Sequence, residues 1–164
     1  MKKPNRFCIL SLHRSGTSLL VGSLNAHPQI VCHGEIFHKK PENHIRMEWR
    51  SQHEIGMRET DAVAFSYSIL NETDPDMTVG FKMWRGQQKE ACDAMLQDPS
   101  IFKIVLERTN ILARYASANL AMQTGIWNRM HRPSENETRP NLGDKVEFKE
   151  DEFFKFVERH RQTF

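Results

Sequence analysis

Four short stretches of the chain are rich in apolar residues, on successive or alternate positions, and segments with apolar residues three and four apart separate them. Phe7 to Leu10, Ile30 to Cys32, Thr78 to Trp84 and Ile101 to Leu106 read as strands, the first as a buried parallel strand because its apolar run is continuous. Leu19 to Ala26, Ala62 to Leu70 and Gly86 to Gln97 read as helices, and two more are expected at about 110–124 and 149–164. Pro28 ends the first helix, because it has no N–H to continue it and disfavours the helical conformation at His27. The order strand, helix, strand, insert, strand, helix, strand, helix predicts an α/β fold. Three layers are expected, α/β/α, with a central, mainly parallel sheet and right-handed crossovers, of the P-loop NTPase-like kind.

Composition leaves that picture standing and narrows the chemistry. The 164 residues suit one domain (1–164) with a single core. A net charge of +2 does not point to bulk nucleic-acid binding and leaves room for anionic ligands, so no nucleic-acid partner is expected. No apolar run reaches the roughly 20 residues of a membrane span, and the N-terminus leads into a strand, so the chain is expected in the cytoplasm. Cys8, Cys32 and Cys92 are odd in number and lack a CxxC spacing, which points to buried reduced thiols. His27, His33, His38 and His44 are close in sequence, but steps of six, five and six put no pair on one helical face, and no metal is expected.

The chemistry concentrates where the first strand meets the first helix. Backbone amides from Arg14 to Ser18 would converge at a helix N-terminus, where unpaired N–H groups and the dipole favour an anion, and Arg14 adds a fixed charge. Laid on G-x-x-x-x-G-K-[ST], residues 11–18 keep Gly16 and Ser18, but Ser11 replaces the first glycine and Thr17 the lysine. Thr17 or Ser18 is also suited to open the helix. A second basic segment lies at 106–117. Arg108 ends the fourth strand, and Arg114 and Ser117 share a face of the next helix, so two guanidinium groups and a hydroxyl would meet one phosphate. Ile111, Leu112, Tyr115, Ala118 and Met122 are the expected buried side of that helix. Residues 38–61 read as a polar excursion above the sheet, and 128–148 as a mobile loop.

Arg14-Ser-Gly-Thr-Ser18 resembles the 5′-phosphosulfate loop of sulfotransferases that use 3′-phosphoadenosine 5′-phosphosulfate (PAPS). Gly34-Glu-Ile-Phe37 resembles the segment carrying a catalytic glutamate in bacterial carbohydrate sulfotransferases of the nodulation-factor and trehalose types. Arg108 followed by Ser117 resembles their 3′-phosphate segment, with a separation of nine rather than the more usual eight. The resemblance runs over residues 6–127. It implies transfer of a sulfuryl group to a hydroxyl of a carbohydrate or small metabolite, leaving 3′,5′-ADP, without a metal. Arg14, Ser15, Gly16, Thr17 and Ser18 would hold the 5′ side, Arg108 and Ser117 the 3′-phosphate, and Glu35 would be the base, with His33 and His38 as rivals.

Two departures from the family accompany the match. Leu19 and Leu20 stand where cytosolic members carry an adenine-stacking aromatic residue, and family members continue beyond the last helix into a further strand and a cofactor-covering segment. The expectation is therefore a minimal form, a fragment, or a chain completed by a partner subunit in a homo-oligomer. Two other readings of the same loop stay open. One is a degenerate P-loop small-molecule kinase, and the other a non-catalytic nucleotide-binding remnant.

Overall fold

The structure is a computed structural model that describes residues 5–40, 44–46, 56–71, 76–127 and 147–162. The expected loop at 128–148 falls almost wholly outside these residues. The elements are β1 (Asn5–Ser11), α1 (Thr17–Asn25), β2 (Ile30–Glu35), α2 (Met57–Thr60), α3 (Ala62–Asn71), β3 (Thr78–Met83), α4 (Lys89–Gln97), β4 (Ile101–Leu106), α5 (Ile111–Thr124) and α6 (Glu150–Arg161). They divide into two units, Met1–Leu12 with Gly16–Glu107, and His13–Ser15 with Arg108–Phe164.

The first unit is an α/β layered fold around a four-stranded sheet in the order β2-β3-β1-β4, parallel throughout. Its strands are mostly apolar, and helices pack on both faces, leaving Phe102 and Val105 of β4 exposed. Phe7, Ile9 and Cys32 pack with Leu20, Val21 and Leu24 of α1 on one side. On the other, Cys8, Phe81, Met83 and Ile101 pack with Phe65, Ile69 and Leu70 of α3 and Cys92 and Met95 of α4. Fully burying a side chain such as Phe65 or Ile69 is worth about 1.5–3 kcal/mol, so each helix is held mainly by its apolar face.

The second strand does not lie beside the first; β3 stands between them. Shape complementarity accounts for this pairing. Phe7 is the register partner of Gly80, and a Cβ at Gly80 would come within 2.5 Å of the Phe7 ring. Because the strands are parallel, the ends of β1, β2 and β3 still lie along one edge of the sheet, the edge at which open α/β sheets bind ligands. Helix α4 starts at Lys89, three residues later than expected. Residues 84–87 close a turn first, with Gln87 N donating to the Trp84 carbonyl at 2.9 Å and bare Gly86 lying against the Trp84 ring.

In the second unit, Asn110 caps α5 by accepting from Ala113 N at 2.9 Å, and left-handed Gly125 ends the helix. Its buried residues are Arg114, Tyr115, Ala118 and Ala121, whereas Leu112 and Met122 are exposed, contrary to expectation. The difference lies with Arg114. Its guanidinium sits 4.3 Å from the centre of the Phe156 ring and hydrogen-bonds His160 Nδ1, so it is buried against α6 rather than turned towards an anion. Tyr115 meets Phe148, Phe153 and Phe156 edge-on. Helix α6 presents Phe153, Phe156, Val157 and His160 at i, i+3, i+4 and i+7, with acidic residues in its first turn and basic ones in its last, matching the helix dipole. No helix among the described residues is long and apolar enough to cross a membrane.

Candidate functional site

Between β1 and α1 the backbone takes two left-handed steps, Arg14 at φ 64 and Gly16 at φ 89. Only glycine adopts the second freely, and a Cβ at Gly16 would touch nothing within 4 Å, so conformation rather than space requires it there. Gly16 is the N-cap of α1 and offers no side-chain cap, and Thr17 opens the helix as expected. Gly16 O accepts from the amides of Leu19 and Leu20 at 3.1 and 3.3 Å. The hydroxyls of Ser11 and Ser15 are each buried without a hydrogen-bond partner. A buried hydroxyl left unsatisfied costs about 1–3 kcal/mol. In the first unit, a helix start without a side-chain cap and the unsatisfied Ser11 hydroxyl are features a bound phosphate would satisfy, and these residues fit an anionic ligand.

Within the second unit the structure brings Arg14, Arg108 and Ser117 together. Arg14 Nε donates to Ser117 Oγ at 2.9 Å, and its Nη1 donates to the Trp127 carbonyl. Arg108 Nη1 donates to the Arg14 carbonyl at 3.3 Å. The sequence reading gave Arg14 and Ser117 to different phosphates; here they touch directly. Trp127, just past the end of α5, was not foreseen as a partner, since nothing in sequence marks a carbonyl as an acceptor.

Glu35 closes β2 in the first unit, and its position depends on a bulge. The register runs His33 opposite Phe81 and then Glu35 opposite Lys82, with Gly34 unpaired. Without that extra residue Glu35 would lie on the same face as His33, but the bulge carries it to the face of Lys82. Gly34 is therefore an irregularity within the strand. Its N–H donates to the His44 carbonyl at 2.7 Å, and a Cβ there would approach His44 Nδ1 to 2.9 Å and the carbonyl oxygen to 3.2 Å. The Glu35 amide donates to His44 Nδ1 at 3.2 Å, which pins the bulge a second time.

The carboxylate is held at both oxygens. Lys82 Nζ donates to Oε1, with both side chains largely buried, and Gln87 Nε2 donates to Oε2 at 2.6 Å. Burial pushes the Glu35 pKa upward, but the charge and hydrogen bond of Lys82, the nearby His44 and the Gln87 amide together outweigh it and leave the carboxyl below the usual glutamate range. Glu35 is an anion at neutral pH. Lys82 does have a signal in the sequence, as the lone charge in the otherwise uncharged strand Thr78-Val-Gly-Phe-Lys-Met83.

The rival bases are differently placed. His33 is fully buried, with Nδ1 accepting from Arg46 N at 3.3 Å. His38 accepts from the Lys40 amide at 3.1 Å, and its ring lies 4.3 Å from that of His44. Among the described residues no three His, Cys, Asp or Glu side chains are grouped to hold a metal. The three cysteines are free and buried.

No family model matches the chain. It is 28% identical over 141 residues to Nodulation protein H of Rhizobium tropici, a match covering 84% of the chain and 54% of that protein. The chain thus spans about half the length of the relative.

Proposed function

We propose that this chain is a sulfotransferase, or the part of one that binds the donor and carries the base, acting from PAPS on a hydroxyl of a carbohydrate or small metabolite. The observation that carries this reading is the junction of β1 and α1, with its unsatisfied Ser11 hydroxyl, left-handed Gly16 and a helix start without a side-chain cap. The similarity to a protein named for nodulation supports it, because the loop and the Gly34-Glu35 segment had pointed to that group on motifs alone.

PAPS supplies an activated sulfuryl group when bound. The amides of residues 14–18, with the Ser15, Thr17 and Ser18 side chains, would hold its 5′ side, and Arg14 would offset charge that develops there as the bond to sulfur breaks. Arg108 and Ser117 would hold the 3′-phosphate and so fix the line of attack. Glu35, already ionised, would take the proton of the acceptor hydroxyl. Calorimetric titration with 3′,5′-ADP, 5′-AMP and ATP–Mg²⁺ tests the assignment. The 3′,5′-ADP should bind best, and Arg108→Ala should remove most of its advantage over 5′-AMP, about ten- to a hundredfold. Equal binding of the two adenosine phosphates, or a preference for ATP–Mg²⁺, would overturn it.

A further inference from the structure

Lys82 is almost wholly buried in a strand whose neighbours Phe81 and Met83 are fully buried and apolar. A buried ammonium is costly unless paired, and its ion pair is with Glu35. Gln87 reaches the second oxygen of the same carboxylate from the turn after β3, while its own Oε1 is buried without a hydrogen-bond partner. Two residues on separate segments thus converge on one carboxylate, and the bulge at Gly34 is what brings that carboxylate to them.

We infer that Lys82 and Gln87 are positioning residues that clamp Glu35, one at each oxygen, so that its remaining lone pairs meet the acceptor hydroxyl in one fixed direction. This rests on the function proposed above. An ionised carboxylate offers about four acceptor sites, and the clamp uses two. In the step served, the acceptor O–H bond breaks and the proton passes to Glu35. The acceptor oxygen bonds to sulfur, and the bond from sulfur to the 5′-phosphate oxygen breaks, its electron pair leaving on 3′,5′-ADP. Donors that hold the anion also weaken it as a base. Orientation and basicity therefore oppose one another here, and that opposition makes the clamp testable.

The experiment titrates Glu35 by NMR in the full chain labelled with ¹³C at glutamate carboxyls, the resonance being assigned by its loss in Glu35→Gln, alongside pH profiles of sulfuryl transfer from PAPS. Glu35 should titrate below the other glutamates, move up in Gln87→Leu and further in Lys82→Met, and stay low in Lys82→Arg. The acidic limb of kcat/KM should follow, yet kcat of Gln87→Leu should fall about tenfold or more, although a stronger base alone would raise it. A Glu35 resonance unmoved in Gln87→Leu overturns the clamp, whether or not Lys82→Met folds. A resonance that moves while the limb stays fixed leaves only a structural ion pair and overturns the positioning role. Absence of transfer by the unmutated protein overturns the proposed function instead, and the titration then decides alone whether the two donors hold Glu35.

Discussion

Arg14 and Ser117 lie 103 positions apart in sequence and are joined by a hydrogen bond of 2.9 Å from the guanidinium Nε to the hydroxyl. The contact ties a loop residue in a left-handed backbone conformation to the second turn of α5. Holding a non-glycine residue there costs about 1–3 kcal/mol, and Arg14 recovers part of that through Ser117 and the Trp127 carbonyl. Arg14 and Ser117 should therefore act as a unit. Arg14→Ala and Ser117→Ala should each weaken 3′,5′-ADP binding, and the double variant should lose less than their sum, with a coupling of about 0.5–3 kcal/mol by calorimetry. Strict additivity would mean the two serve the ligand independently.

Glu35→Gln is expected to do two things at once. Turnover should drop by about 10² to 10⁴, because glutamine cannot accept the proton. Stability should also fall, by about 3 kcal/mol, because Lys82 is left buried and charged opposite a neutral amide. Glu35→Gln with Lys82→Met should regain most of the stability and none of the turnover. Urea titrations beside transfer assays separate the two effects, and a double variant no more stable than Glu35→Gln would contradict the buried-pair account.

Gly34→Ala adds one methyl group against His44, at 2.9 Å from its ring Nδ1 and 3.2 Å from its carbonyl oxygen. Either residues 44–46 move away or the bulge is lost. In the second case Glu35 leaves the face of Lys82. Turnover should fall at least tenfold and the Glu35 carboxyl should return towards its ordinary pKa, which the same NMR titration would read. A variant with unchanged Glu35 titration and activity would show that His44 simply yields.

Acid should destabilise the first unit over a defined window. The Asp98 carboxyl is held down to about 2 by hydrogen bonds from the Ser100 hydroxyl, Tyr67 and the Ser100 amide, and Glu35 lies below its ordinary value as described. Both groups bind protons more tightly in the unfolded chain. Their contribution is present in full above about pH 4 to 5, and Asp98 loses its share as pH falls from there towards 2. Thermal unfolding measured between pH 7 and pH 2 should give a Tm that falls steeply below pH 4, less so in Asp98→Asn. Equal slopes in the two proteins would remove Asp98 from the account.

The fold was legible because its signals are local or periodic. The apolar runs of β1 and β4 and the alternation of strands and helices sufficed, and β4 was read to the residue as Ile101–Leu106. What escaped depends on contacts distant in sequence. The place of β3 beside β1 turns on a ring fitting over Gly80, and the face of Glu35 turns on one unpaired residue held by His44. Arg114 was assigned to an anion because helical spacing put it with Ser117; it is drawn inward by Phe156 and His160 from another helix, which no spacing within α5 could reveal. Lys82 is the instructive omission, since a lone charge in a buried strand is a request for a partner that composition alone cannot name.

The three free cysteines sample different parts of the first unit. Cys8 faces the layer built with α3 and α4, Cys32 the layer built with α1, and Cys92 lies on α4. Burial raises the Cys8 thiol to about 11 and the Cys32 thiol to about 12, so neither supplies thiolate at neutral pH while the sheet is covered. Alkylation of each sulfur is consequently gated by the opening of its own layer. The chain thus contains two native clocks, one per face of the sheet, and their relative rates would tell whether the covering helices detach together or in sequence.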